Sequence, residues 1–183
     1  MVRVISGSAK GAKLRAPKGH ATRPTLDRIK ESLFNILGDV QGARVLDLYA
    51  GTGALGIEAL SRGAKHAVFV ERDGRVAAII RENLAHTKLE ASAVVIRGEA
   101  PLAYDRLAAF GPFDLVFVDP PYDMGQVAKA LIWLDESPLL ADRARVVVER
   151  GAVEEIPPNL KNLKSFREKV YGETVLNLFV NSD

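Results

Sequence analysis

The sequence predicts an α/β fold: a mostly parallel sheet with helices on both faces, closed by an antiparallel hairpin and preceded by a short basic ribbon. Three observations carry this. Short apolar strands alternate with helical stretches from Arg44 to Glu149, which requires crossover connections. A glycine-rich turn, Gly51-Thr52-Gly53-Ala54-Leu55-Gly56, joins the first of those strands to a helix. After Pro157-Pro158 two more strands meet through Gly172-Glu173, and such a hairpin adds an antiparallel strand to a parallel sheet.

The elements follow in order. Residues 1–24 are rich in Gly, Ser, Lys and Pro and suit an extended ribbon, not a core; residues 25–183 form the main domain. Thr25 is placed as a helix N-cap, with Leu26, Ile29, Leu33, Ile36 and Leu37 at helical spacing and Gly38 and Gly42 marking the exit. Strands are expected over 44–49, 66–71, 93–97, 113–118 and 145–149. Between them the clearest helix is opened by Asp73 and shows Val76, Ile79, Ile80, Asn83 and Leu84 on one face. The closing strands are expected over 166–171 and 174–180.

A chain of 183 residues, 48% of them hydrophobic, suits one domain with a modest appendage and a full core. No apolar run approaches the roughly 20 residues that span a bilayer, and no signal core opens the chain, so a cytoplasmic protein without membrane contact is expected. The absence of cysteine excludes disulfides, thiolate nucleophiles and cysteine zinc sites. His20, His66 and His86 show no ligand spacing, so no metal is expected. No serine sits in a Gly-x-Ser-x-Gly context, and Trp133 among Leu131, Ile132 and Leu134 reads as packing.

The net charge of +2 hides an asymmetry. Residues 1–30 carry Arg3, Lys10, Lys13, Arg15, Lys18, Arg23, Arg28 and Lys30 against Asp27 alone, a local charge of +7 that leaves −5 for the rest. A basic arm on a mildly acidic body points to a polyanion, with a solvated tail as the plain alternative.

The glycine loop runs from Leu46-Asp47-Leu48-Tyr49-Ala50 into a helix whose first N–H groups are unpaired. Glu71, 20 residues after Gly51, ends the second strand, where an acid can accept ribose hydroxyls. The letters fit the dinucleotide fingerprint, so an NAD enzyme is the obvious competitor. Asp47, just before the loop, would repel pyrophosphate but suits the ammonium of S-adenosylmethionine, which favours the methyl donor. Glu99 is a candidate for the adenine end, or else a first-turn acid favoured by the helix dipole.

Asp119-Pro120-Pro121-Tyr122 leaves the carboxyl end of another apolar strand and can face the same crevice. A nucleobase amino group is a poor nucleophile because its lone pair is delocalised. The Asp119 carboxylate and the Pro120 carbonyl can each accept one of its protons, two prolines restrict the backbone that holds that carbonyl, and Tyr122 can stack on the base. Positive charge then develops on nitrogen where acceptors already point. This chemistry fits guanine, adenine or an amide, and the tetrapeptide alone does not choose. A catalytically silent RNA-binding or assembly protein is the alternative of a different class.

Taken together, Arg3-Val4-Ile5-Ser6-Gly7, the segment from Arg23-Pro24-Thr25 to Asn35, the loop from Leu46 to Gly63, Asp119 to Tyr122, and Tyr171-Gly172-Glu173-Thr174 resemble the RsmD family of 16S ribosomal RNA guanine-N2 methyltransferases. The resemblance implies a Rossmann-like class I S-adenosylmethionine-dependent methyltransferase fold with a seven-stranded sheet. It implies Asp119, Pro120 and Tyr122 as catalytic residues. Asp47, Tyr49, Gly51, Thr52, Gly53, Glu71, Arg72, Glu99 and Ala100 would bind S-adenosyl-L-methionine. Arg3, Lys10, Lys13, Arg15, Lys18, Arg23, Thr25, Arg28 and Pro121 would contact 16S rRNA in the small ribosomal subunit, with Arg23 and Thr25 near the reacting groups. A monomer is expected. Glu99 departs from the aspartate expected in a Gly-Asp-Ala motif.

Overall fold

The computed structural model describes residues 2–17, 25–99, 101–121 and 125–182. A two-stranded antiparallel ribbon, β1 (Val2–Arg3) and β2 (Lys13–Leu14), precedes helix α1 (Thr25–Leu37). There follow β3 (Arg44–Leu48), α2 (Ala54–Ser61), β4 (His66–Glu71), α3 (Gly74–Thr87), β5 (Ala93–Arg97), α4 (Tyr104–Ala108), β6 (Phe113–Val118) and α5 (Gln126–Asp135). The chain closes with β7 (Leu140–Gly151), β8 (Leu163–Tyr171) and β9 (Thr174–Asn181). No helix among the described residues is long and apolar enough to cross a membrane.

The seven-stranded sheet has the order β5-β4-β3-β6-β7-β9-β8. Strands β5 to β7 run parallel, and β9 inserts antiparallel between β7 and β8. The expected architecture is therefore present. The order reverses between β3 and β6, and there the helices of adjacent crossovers lie on opposite faces, leaving a crevice beyond the strand carboxyl ends. Two apolar layers flank the sheet. One packs Leu33 and Phe34 of α1 and Ile57 of α2 against Phe69, Phe117 and Leu178. The other packs Leu131 and Leu134 of α5 against Val116, Val146 and Phe179. Trp133 is half-buried against this second layer, as packing predicts.

Helix α3 begins as expected: the Asp73 carboxylate accepts from Arg75 N at 2.8 Å, and Asp73 stands at the N-cap. The ribbon differs from expectation. Val4, Ala9 and Leu14 are buried in the same core cluster as α1 and α2, so residues 2–17 are anchored to the domain and not only attached to it. The sequence hid this because three apolar residues among glycines and lysines show no period.

Candidate active site

A cavity of about 870 Å³ opens at the crevice beyond β3, β4 and β6. Strand β3 and its loop bring Asp47, Tyr49, Gly51 and Thr52 to the wall, and β4 brings Glu71 and Arg72. Glu99 follows β5, and Asp119, Pro120 and Pro121 follow β6. Ten of the expected site residues thus meet in one cavity, although 74 positions separate the first from the last.

The loop owes its path to backbone freedom at two glycines. Gly51 and Gly53 have φ of 53° and 75°, in the left-handed region. Tyr49 adopts φ 59° without that freedom, a strain that recurs at functional loops. Gly56 is required by contact: a Cβ there would lie 2.4 Å from the Phe69 ring. Its absence lets α2 approach β3 closely enough for Gly56 N to donate to Asp47 Oδ2 at 2.9 Å. Gly53, expected with the cofactor, does not line the cavity; a Cβ there would face Ile80, Ile57 and Phe69, so it serves the turn.

The carboxylates are unequal. Asp47 is 2% exposed, and burial pushes its pKa up to about 7, against the Gly56 hydrogen bond and with help from Glu71. Between the ordinary 3.8 and about 7 the folded protein therefore holds a proton that the unfolded chain has lost, so this group lowers stability as pH rises through that window. Glu71 accepts from Gly51 N at 3.1 Å and from Asp73 N at 2.8 Å, one bond to each oxygen. Each oxygen keeps a second lone pair for a diol. Asp119 reaches solvent through the cavity mouth while protein encloses its other sides. That enclosure, then the charges of Glu149 and Asp47, holds its carboxyl well above the usual carboxylate range. Tyr49 is raised as well, first by burial and then by Glu99.

The basic residues divide. Lys10 and Lys13 are exposed on the ribbon, and Arg28 is exposed on α1. Arg3 pairs with Asp27 at 2.8 Å, and Arg15 pairs with Glu82. Ala16 and Pro17, just beyond β2, line the cavity, so the ribbon leads to its mouth. Thr25 opens α1, but its side chain lies outside the described residues, as do Lys18, Arg23, Ala100 and Tyr122.

Three polar residues carry contacts to which the sequence alone assigned no role. Asn83 is fully buried; its amide oxygen accepts from Arg15 N at 2.7 Å, and its amide nitrogen donates to Arg15 O at 3.0 Å and Thr52 O at 2.9 Å. One side chain thereby joins the ribbon to the glycine loop. Its signal was a polar residue on an apolar helical face. Glu58, also fully buried, accepts from Ile5 N at 2.8 Å, Ser6 N at 3.0 Å and Arg62 Nε at 2.8 Å, and lies 3.2 Å from Lys30 Nζ. Its signal was a lone acid in the apolar run Ile57-Glu58-Ala59-Leu60. Lys30, counted above only in the charge of the arm, lines the cavity together with the third residue, Glu149.

Comparison with known proteins follows the same outline. The family model described as Conserved hypothetical protein 95 matches residues 2–180. The ribosomal RNA small subunit methyltransferase D of Escherichia coli K12 is 39% identical over 180 residues, covering 97% of this chain and 89% of that protein. The solved structure of yhhF from Escherichia coli superposes with a TM-score of 0.83 at 38% identity, covering 99% of this chain and 98% of the other. An RNA methyltransferase from Salinibacter ruber, solved with S-adenosyl-L-homocysteine, shares the fold with a TM-score of 0.65 at 16% identity, over 89% and 95% of the two chains.

Proposed function

Because this chain belongs to the Conserved hypothetical protein 95 family, in common with the ribosomal RNA small subunit methyltransferases D, we propose that it methylates the small-subunit ribosomal RNA with S-adenosyl-L-methionine, at the exocyclic N2 of a guanine. The observation that carries this reading is the meeting of Asp119-Pro120-Pro121 with Asp47 and Glu71 in one cavity at the sheet's switch point.

The residues present fit the cofactor. Asp47 offers a carboxylate for an ammonium, Glu71 has free lone pairs for a ribose, and the loop glycines permit close approach. When bound, the cofactor supplies an electrophilic methyl group. Asp119 accepts a hydrogen bond from the guanine amino group, and the carbonyl of Pro120, on a restrained backbone, accepts the other. Tyr122 stacks on the base. Asp119 then receives the proton that the methylated nitrogen sheds, and its raised pKa makes it a stronger base than an ordinary carboxylate. The ribbon's lysines grip phosphates while the cavity takes the extruded base.

The test is incubation of the protein with labelled methyl donor and undermodified small subunits, naked small-subunit rRNA, or DNA, followed by nucleoside analysis. Label in N2-methylguanosine is expected. Label in adenine would correct the target, and stabilisation by NADH in place of S-adenosylhomocysteine would remove methyl transfer altogether.

The pH dependence of cofactor binding gives a second check. Below about 7 Asp47 is protonated in the free protein and offers no charge to the ammonium. Binding therefore releases a proton, and affinity for S-adenosylhomocysteine is expected to rise from pH 6 to pH 8, by up to about tenfold per unit below the pKa. Calorimetry in buffers of different ionisation heat should register that proton; a flat profile would remove Asp47 from the ammonium site.

A further inference from the structure

The edge strand β8 carries a surface that neither the cavity nor the ribbon uses. Its register with β9 settles which side chains share a face. Lys164 pairs with Val180, Arg167 with Leu178, Lys169 with Leu176 and Tyr171 with Thr174. Leu176 and Leu178 are buried in the layer formed with α1, so these four residues stand on the α1 side of the sheet. Ser165, Glu168 and Val170 occupy the opposite face. There Glu168 lies 3.2 Å from Arg150 and accepts from Asn177 at 2.8 Å. The strand is thus sorted by charge, with its one acid on one face and only cations on the other.

Lys164, Arg167 and Lys169 are exposed, and Arg167 and Lys169 form no ion pair among the described residues. Lys164 donates to the carbonyl of Lys161 at 2.6 Å. Glu31, the exposed acid on α1, pairs with none of them. Phe166, at the bulge between Ser165 and Arg167, is 49% exposed and presents an accessible aromatic ring next to Arg167 in the chain. The stripe also has a direction. Tyr171 lies 2.5 Å from the Ser32 hydroxyl of α1, and its partner Thr174 pairs with Gly151 at the carboxyl end of β7, the end where the cavity opens. Lys169, Arg167 and Lys164 lead away from that rim along the sheet edge.

We infer that this face of β8, continued past the Tyr171–Ser32 contact by Arg28 one turn earlier on α1, is a second docking surface for the phosphate backbone of the RNA substrate. The inference rests on the reading of the chain as an RNA methyltransferase. Charge complementarity selects a polyanion, and alternate residues of a strand repeat at about 6.7 Å, a spacing that successive phosphates of an extended nucleotide chain can meet. An aromatic ring next to cations suits an unpaired base. Cations on an edge strand also block edge-to-edge pairing. Acids block it equally well, and that equivalence separates the two roles.

The experiment uses the full chain with Arg167 and Lys169 both changed to Glu. Binding to small-subunit rRNA and to undermodified small subunits is measured from 50 to 200 mM salt. Loss of two phosphate contacts is expected to weaken binding by roughly tenfold or more and to lower the slope of log affinity against log salt by about 1.4. The R167K variant should keep both. Stabilisation by S-adenosylhomocysteine should be unchanged, showing the fold and cavity intact; should the double reversal fail to fold, R167Q with K169Q carries the same slope test. An unchanged slope with intact cofactor binding overturns the surface alone, provided the parent protein still methylates the RNA. A parent protein that neither binds nor methylates RNA overturns the reading on which the surface rests, and the surface with it.

Discussion

Replacing Asp119 with alanine is expected to slow methyl transfer to small-subunit RNA by about a hundred- to a thousandfold, the usual cost of removing one group aimed at developing charge. The loss should fall on kcat, with S-adenosylhomocysteine still raising the melting temperature. Asp119→Asn separates two duties of the same side chain. Its amide oxygen can accept a hydrogen bond, but it cannot carry away a proton. The parent rate should rise with pH along a limb set by Asp119, displaced above the usual carboxylate range by the protein that encloses its inner sides and then by Glu149 and Asp47. The asparagine variant should lose that limb as well as most of its rate. A variant with the parent's rate and profile would place the chemistry elsewhere in the cavity.

The largest effect on stability is expected from Glu58. Changing it to alanine strips acceptors from Ile5 N, Ser6 N and Arg62 Nε and leaves the Lys30 ammonium, 6% exposed, without its carboxylate. Breaking a buried pair by removing one partner costs about 3–5 kcal/mol, a large share of a single domain's stability. Urea unfolding followed by circular dichroism would measure it. The sign of the pH dependence follows from Lys30, whose pKa burial lowers from 10.5 while Glu58 opposes that shift. Without Glu58 the folded state binds its proton more weakly than the unfolded chain does. The deficit should therefore narrow as pH rises toward 10.5. A deficit independent of pH would mean that lost packing, and not the stranded charge, sets the cost.

These two residues also mark what could be read from sequence. The place of Asp119 in the cavity was legible because its signal is local: a buried strand ends, and two prolines follow at once. The same holds for Asp47 and Glu71, fixed by where β3 and β4 stop, and for β4, β5 and β6, whose observed limits are those expected. Strand β7 begins at Leu140, five residues before the expected Arg145. A register shift between Phe113 and Leu115 and a positive φ at Arg143 admit residues that break the apolar pattern. Strand β8 likewise starts at Leu163 and carries a bulge before Arg167, where alternation fails. Apart from the Glu58–Arg62 contact one turn along α2, Glu58, Asn83, Lys30 and Glu149 acquire their roles from partners 28 or more residues away. No local spacing encodes such partners, and only an out-of-place polar letter in an apolar run hints at them.

Residues 2–17 are fastened to the sheet domain at three separate points. Glu58 holds Ile5 and Ser6, Ser61 donates to Ser6 O at 2.6 Å and accepts from Ala9 N at 2.9 Å, and Asn83 holds Arg15. At Gly7, φ is +82° and a Cβ would sit 1.7 Å from the Ser61 carbonyl oxygen, so the crossing admits no side chain. The basic segment is therefore not an exchangeable cassette. Grafted alone onto another methyltransferase it would lose its shape with its fastenings, and a working chimera would have to carry Glu58, Ser61 and Asn83 along with it.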